Sequence, residues 1–388
     1  MFELGNRPIY ITGVAESALG EVTDQTELSM AMAASVEALE EAGLTLDDVD
    51  GLFVNYMGEE GSVQVAEYFG IQPRYSDSSD LGGASFAAFL NHAMVAISTG
   101  RCDVALITYA SRQRTRRNRS LASRMPPYSL AAQLEAPYGL PTPVGQYALA
   151  AARHMHEFNT RPEQLAEVAV AARSWARLNP KAWERAPLTI DDVLSSPMVC
   201  SPLHRRDCCL VTDGGGAVVL VGAGAAKSAT KPLARVLGAG ESHTHWHIAQ
   251  MPSLTRTAAV ESGRDAFAMA GVGPQDIDFV EPYDSFTITP LLAFEDLGFC
   301  AKGEGGDFVS GGRLGVGGAL PAMTSGGGLS YNHPGALGLL LVVEAVRQLR
   351  GEAGARQAPR HELGLVHAVG GVLSTAATVI LAAEAGLP

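Results

Sequence analysis

Ala34-Ser-Val-Glu-Ala-Leu-Glu-Glu-Ala-Gly43, continued by Leu46-Asp-Asp-Val-Asp50 and Gly51-Leu-Phe-Val54, is a design the chain uses twice. The second copy runs Ser262-Gly-Arg-Asp-Ala-Phe-Ala-Met-Ala-Gly271, then Pro274-Gln-Asp-Ile-Asp278, then Phe279-Val-Glu-Pro282. In each copy apolar residues at helical spacing end on a glycine stop. A short Asp-Val/Ile-Asp connection follows, and then an apolar run that reads as a buried strand. A second correspondence supports the first. Asp213-Gly-Gly-Gly-Ala-Val-Val-Leu-Val221 and Thr375-Ala-Ala-Thr-Val-Ile-Leu381 both feed small residues into a buried strand. Alternating helices and buried strands predict an α/β protein with layered sheets, built from halves at 1–225 and 226–388. The stretch from about 112 to 202 fits neither half's core. Its prolines, basic residues and two helical patterns (Val144–Phe158 and Pro162–Leu178) predict an insertion that covers the active-site entrance.

Composition narrows the function. With 388 residues and 47% hydrophobic content the chain can bury a sizeable core. A net charge of −13 disfavours a general nucleic-acid role. The five cysteines show no CxxC spacing, so disulfides and zinc are not expected. The N-terminus lacks the pattern of a secretory signal, and no apolar run reaches the ~20 residues of a membrane span. The expected location is the cytoplasm.

Several stretches together resemble the thiolase superfamily, in its sterol-carrier-protein-type thiolase-like branch. They are Leu81-Gly-Gly-Ala-Ser-Phe86, His204-Arg-Arg-Asp-Cys-Cys-Leu-Val-Thr-Asp-Gly-Gly-Gly-Ala217, Tyr283-Asp-Ser-Phe286 and Leu297-Gly-Phe-Cys300 with Gly303-Glu-Gly305. Ser325-Gly-Gly-Gly-Leu-Ser-Tyr-Asn-His-Pro-Gly335 and Gly370-Gly-Val-Leu-Ser374 complete the set. The resemblance implies duplicated βαβαβαββ halves in a five-layer α-β-α-β-α core. It also implies a homodimer, a coenzyme A thioester as substrate, and no covalently bound cofactor.

A thiolase of this fold attacks its thioester with a cysteine at a helix start, where the helix dipole and a histidine lower the thiol's pKa. The matching position here is Ala84, or Gly83 if the alignment slips by one. The second thiolase cysteine falls at Ala368. Neither can act as a nucleophile. Ser85 is adjacent but needs a base. Cys208 and Cys209 precede a buried strand and read as small hydrophobes. Tyr283 takes the place of an active-site side chain in the family, and a phenol can move a proton or polarise an oxygen. The other expected catalytic residue is His333, which matches the histidine of the family's Gly-His-Pro motif. Tyr331, Asn332 and His367 are candidates for the same pocket. The run Arg112–Arg119 is the one strong basic cluster. Arg112, Arg114 and Arg116 are candidates for the coenzyme A phosphates, or the run is a solvated loop. His243-Thr-His-Trp-His247 lacks the carboxylate or cysteine pattern of a metal site, so none is expected.

The resemblance, whose branch includes sterol-side-chain aldolases that also lack the nucleophilic cysteine, implies a C–C bond lyase that cleaves a β-hydroxyacyl-CoA by retro-aldol chemistry, which needs no covalent intermediate. One alternative is a thiolase or acyltransferase whose nucleophile is exchanged or unrecognised. The other is a non-catalytic acyl-CoA-binding subunit. The four lysines, Lys181, Lys227, Lys231 and Lys302, lie in loop contexts that do not suit a Schiff base. Branch membership further implies a small partner with an OB-fold and often a zinc ribbon. Pro126-Pro127-Tyr128 and Ala136-Pro-Tyr138 are candidate docking segments.

Overall fold

The computed structural model of the chain describes residues 8–384, apart from 56, 58–60, 118–127 and 141–142. Arg119 of the basic run and Pro126-Pro127 lie outside the described residues. Nine strands form one hydrogen-bonded sheet. They are β1 (Ile9–Glu16), β2 (Gly51–Val54), β3 (Tyr75–Asp77), β4 (Val104–Arg112), β5 (Asp213–Gly222), β6 (Ala234–His243), β7 (Phe279–Pro282), β8 (Leu363–Gly370) and β9 (Thr375–Ala383). Their order is β3-β2-β4-β5-β1-β6-β9-β8-β7.

That order is its own mirror image about the β1–β6 contact. β2 runs parallel to β4, which is antiparallel to β5, which is antiparallel to β1. Likewise β7 runs parallel to β8, which is antiparallel to β9, which is antiparallel to β6. β3 has a reduced counterpart, the single parallel bridge between Val280 and Ala322. The halves meet through two residue pairs, Tyr10–Arg235 and Ile11–Ala234.

Helices supply the other layers. α1 (Glu27–Ala42) packs on β1, β4 and β5. Two central helices, α2 (Ser85–Ser98) and α6 (Gly338–Leu349), touch strands of both halves. Both are apolar on nearly all sides, and every residue of α6 except Arg347 is buried, as a helix packed against both halves of the sheet must be. α5 (Ala259–Ala270) packs on β6 and β9. This is the five-layer thiolase arrangement. The repeated Ala-Gly stops behave as read: Gly43 and Gly271 close α1 and α5 in the left-handed region, at φ 68° and 70°. Each outer helix also sits on a strand glycine. A Cβ at Gly13 would lie 1.8 Å from the Ala38 carbonyl oxygen, and one at Gly238 would lie 2.2 Å from that of Ala266.

Between β4 and β5 the chain forms α3 (Val144–Phe158) and α4 (Pro162–Ala176). The second ends two residues before the expected Leu178. α4 packs on the turn that precedes His333, where Arg173 Nε donates to Ser330 Oγ at 2.9 Å.

His92, on α2, ties the halves together. Its Nδ1 lies 2.6 Å from Asp77 on β3 and its Nε2 lies 3.0 Å from Glu241 on β6. Hydrogen bonds to Asp77 and then to Glu241 outweigh burial and push the imidazole up to about 9. The folded-state value is raised, so this bridge stabilises fully below the unfolded value of about 6.5 and is lost as pH climbs through about 9. Melting temperature should therefore fall over that interval, and His92→Gln should flatten the fall. An unchanged slope in the variant would remove this role.

Candidate active site

The N-terminal ends of the two central helices meet. A Cβ at Gly338, the first residue of α6, would lie 2.5 Å from the carbonyl oxygen of Gly83, just ahead of α2. Tyr283 reaches this junction from the end of β7, where its N–H donates to the His367 carbonyl of β8 at 2.8 Å. The phenol is buried, and its oxygen lies 3.0 Å from His333 Nε2. The same oxygen accepts the Leu337 N–H at 3.2 Å. It therefore sits at the positive end of α6, where negative charge is favoured.

His333 is held from behind. Its N–H donates to Thr212 Oγ1 at 2.8 Å, and its carbonyl accepts the Thr212 N–H at 3.3 Å. The segment before it makes one wide turn, with Tyr331 N–H to the Gly326 carbonyl and Asn332 N–H to the Gly327 carbonyl, both 3.2 Å. Such turns recur at functional sites. Asp284 fixes the turn, accepting the Gly328 and Leu329 N–H groups at 2.6 and 3.0 Å. Full burial pushes its carboxyl up to about 7. Glycine is required here, because a Cβ at Gly327 would lie 2.1 Å from Asp284 Oδ2.

The residue facing Tyr283 is Gly83. A Cβ there would lie 2.7 Å from both Tyr283 Cε2 and its hydroxyl oxygen, and 2.6 Å from the Val369 carbonyl oxygen. The phenol ring fills the volume that any side chain at residue 83 would need. Ala84 is wholly buried in the hydrophobic core. Ser85 Oγ donates to the Gly82 carbonyl at 2.8 Å and accepts from Leu81 N–H and Asn55 Nδ2, both 2.9 Å. It holds the turn together. Ala368, on β8, packs beside Gly338.

The remaining candidates scatter. Tyr331 donates to Glu16, which also pairs with Lys181, and burial raises the phenol's pKa well above its ordinary value. Asn332 packs on Gly214 and is buried. His367 Nδ1 lies 2.9 Å from Thr378 Oγ1, and burial lowers the imidazole to about 4, so it is neutral. The basic run does not form one patch. Arg112 Nε donates to the Val22 carbonyl at 3.0 Å, Arg114 pairs with Glu21 and stacks 4.4 Å over Trp183, and Arg116 pairs with Glu27 at 2.7 Å. Arg112 and Arg116 do line a cavity of about 830 Å³ that reaches Gly335. The histidines of 243–247 diverge: His243 ends β6, His245 Nε2 lies 3.1 Å from the Val372 carbonyl, and His247 faces Glu135. Burial pushes the Cys102 and Cys300 thiols up to about 12 and raises Cys208 as well, which suits none of them to nucleophilic attack.

The sequence offers Gly83 only as the slipped alternative to Ala84, and gives no role to Thr212, Asp284 or the Leu337 N–H. Asp284 and Thr212 stand inside the stretches that carry the family resemblance, but nothing local says what they bind.

Comparison with known proteins settles the family. An acetyl-CoA acetyltransferase of Methanothermobacter thermautotrophicus is 34% identical, over 96% of this chain and 99% of that protein. The chain belongs to the thiolase superfamily. The family description "Thiolase C-terminal domain-like" matches residues 240–383. A steroid side-chain-cleaving aldolase of Thermomonospora curvata is 32% identical, over 88% of this chain and 90% of that one. A solved structure described as an Ltp2-ChsH2(DUF35) aldolase has 32% identity and a TM-score of 0.89, covering 98% of this chain and 99% of that one. Within the thiolase superfamily the chain lies in the sterol-carrier-protein-type thiolase-like branch, alongside acyl-CoA aldolases.

Proposed function

We propose that this thiolase-fold chain is a lyase that cleaves the Cα–Cβ bond of a β-hydroxyacyl-CoA by a retro-aldol reaction. The observation that carries the reading is the Tyr283–His333 hydrogen bond at the helix junction, beside Gly83 and Ala84, neither of which has a nucleophilic side chain. Tyr283 takes the proton of the β-hydroxyl while its own proton passes to His333 Nε2. The Cα–Cβ bond breaks, Cβ becomes a carbonyl, and the electron pair forms a thioester enolate. The converging helix N-termini favour that negative charge. His333 then returns the proton through Tyr283 to Cα, and the shortened acyl-CoA leaves.

Two relatives support the lyase reading by name, the steroid side-chain-cleaving aldolase and a 17-hydroxy-3-oxo-4-pregnene-20-carboxyl-CoA lyase of Mycobacterium tuberculosis. The acetyltransferase relative favours a second reading, thiolysis, which requires a thiolate that Gly83 leaves no room for.

The functional unit we propose is a cytoplasmic homodimer that binds a small OB-fold protein. β3 ends the sheet with one edge open to a second copy. The aldolase of the solved structure is described with a DUF35 component, which supports the partner. Among the described residues no helix is long and apolar enough to cross a membrane.

The test is product analysis of the chain, alone and co-expressed with a DUF35-type protein as the candidate partner. A β-hydroxyacyl-CoA should yield a carbonyl product and a shorter acyl-CoA, while acetoacetyl-CoA with free coenzyme A should yield no acetyl-CoA. Iodoacetamide-sensitive thiolysis would reverse the assignment. Light scattering on the same samples reads the dimer, and full activity of a monomer alone would remove both dimer and partner.

A further inference from the structure

A groove of about 330 Å³ lies between residues 134–140 with Leu149 on one side and the segment after β6 on the other. Its walls include Leu134, Tyr138, Leu149, Ile248 and Met251. One charged side chain lines it, Glu135, which is 3% exposed. Glu135 Oε2 accepts from Gln146 Nε2 at 2.8 Å, but Oε1 is buried with no hydrogen-bond partner. His247 Nδ1 lies 3.9 Å from Oε1, beyond hydrogen-bond reach, and His247 Nε2 is likewise buried and unpartnered. Polar atoms left this way inside a protein are costly, so an unpartnered acceptor lining an apolar groove points to a ligand group that meets it.

Both walls are tied to the active-site rim. Tyr147, next to Gln146 on α3, packs 4.4 Å from Phe286 and donates to the Gly371 carbonyl at 3.4 Å. His245, two residues before His247, contacts the Val372 carbonyl. Residues 371 and 372 directly follow β8 beside the site.

We infer that this groove holds the part of the acyl group remote from the thioester, and that Glu135 accepts a hydrogen bond from a hydroxyl on that otherwise apolar group. The inference rests on the acyl-CoA lyase reading. A carboxylate oxygen only accepts, so the ligand must donate. A phosphate of coenzyme A would be repelled by Glu135. A cation would bring its own desolvation cost against the apolar walls. A neutral hydroxyl on a bulky apolar body fits both the walls and the acceptor.

The experiment measures binding, so it does not depend on turnover. Calorimetry compares two coenzyme A thioesters of one saturated fused-ring carboxylic acid, with and without a ring hydroxyl at the end remote from the carboxyl. Neither carries a β-hydroxyl, so neither can be cleaved. The wild-type chain should bind the hydroxylated thioester about 10- to 100-fold more tightly, as expected for a hydrogen bond to a charged group. Glu135→Leu should abolish that preference, and the isosteric Glu135→Gln, a neutral acceptor, should lower it in part. Equal binding by the wild type, or a preference that survives Glu135→Leu, would overturn the inference and leave the lyase reading intact. Failure of both thioesters to bind would remove the acyl-CoA reading, and this inference with it. If Glu135→Leu changed only the affinity for a second protein, the groove would be a docking surface and the inference wrong.

Discussion

Tyr283→Phe and His333→Ala should each lower turnover of a β-hydroxyacyl-CoA by about 10²-fold or more, the usual contribution of a positioned acid–base group. The two changes should not add. The oxygen of Tyr283 and Nε2 of His333 share one hydrogen bond, so removing either end interrupts the same proton path. The double variant should therefore be close to the worse single one. Phenylalanine keeps the ring against Gly83 but leaves the buried Leu337 N–H without its acceptor, at a cost of about 1–3 kcal/mol. Thermal melts must accompany the kinetics, so that loss of activity is read on folded protein. Near wild-type rates in both variants would end the mechanism, and fully additive losses would show that the residues act in separate steps.

Most of the scaffold was legible because its signals are local. Gly43 and Gly271 end their helices, and the runs Gly51–Val54 and Phe279–Pro282 are strands buried throughout. The duplicated pattern in the sequence is the mirrored strand order of the sheet. Tyr283 and His333 each stand in a motif whose residue type suggests chemistry, and the fold brings them within 3.0 Å of each other. What could not be read were tertiary partners. The basic run reads as a phosphate clamp or as a solvated loop, and nothing local shows that Glu21 and Glu27 meet Arg114 and Arg116. Tyr331 looked like a pocket residue because its neighbour is His333, yet its hydroxyl turns to Glu16, far away in sequence. The choice between Gly83 and Ala84 depends on the direction of one Cα–Cβ bond, which the turn sets through Gly82 at φ 61°.

That choice gives the second large effect. Gly83→Ala should reduce activity by about 10²-fold or more, because displacing a reacting group by even ~1 Å costs that much. The new methyl would lie 2.6 Å from the Val369 carbonyl oxygen and 2.7 Å from the Tyr283 ring. The carbonyl belongs to β8, paired along its length with β9, so it has little room to give. The phenol is the softer neighbour, and its movement breaks contact with His333 Nε2 and the Leu337 N–H together. Overpacking alone should lower stability by about 1–3 kcal/mol, leaving a folded protein to assay. Ala84→Gly, one residue on, is the control. It removes a buried methyl from the core at a cost of about 0.5–1 kcal/mol and should leave turnover near wild type. If Ala84→Gly were the inactivating change and Gly83→Ala were silent, the nucleophile position would belong to residue 84 and Tyr283 would not fill it. Gly83→Cys should likewise gain no thiolysis, because the sulfur would have to enter the space the Tyr283 ring occupies.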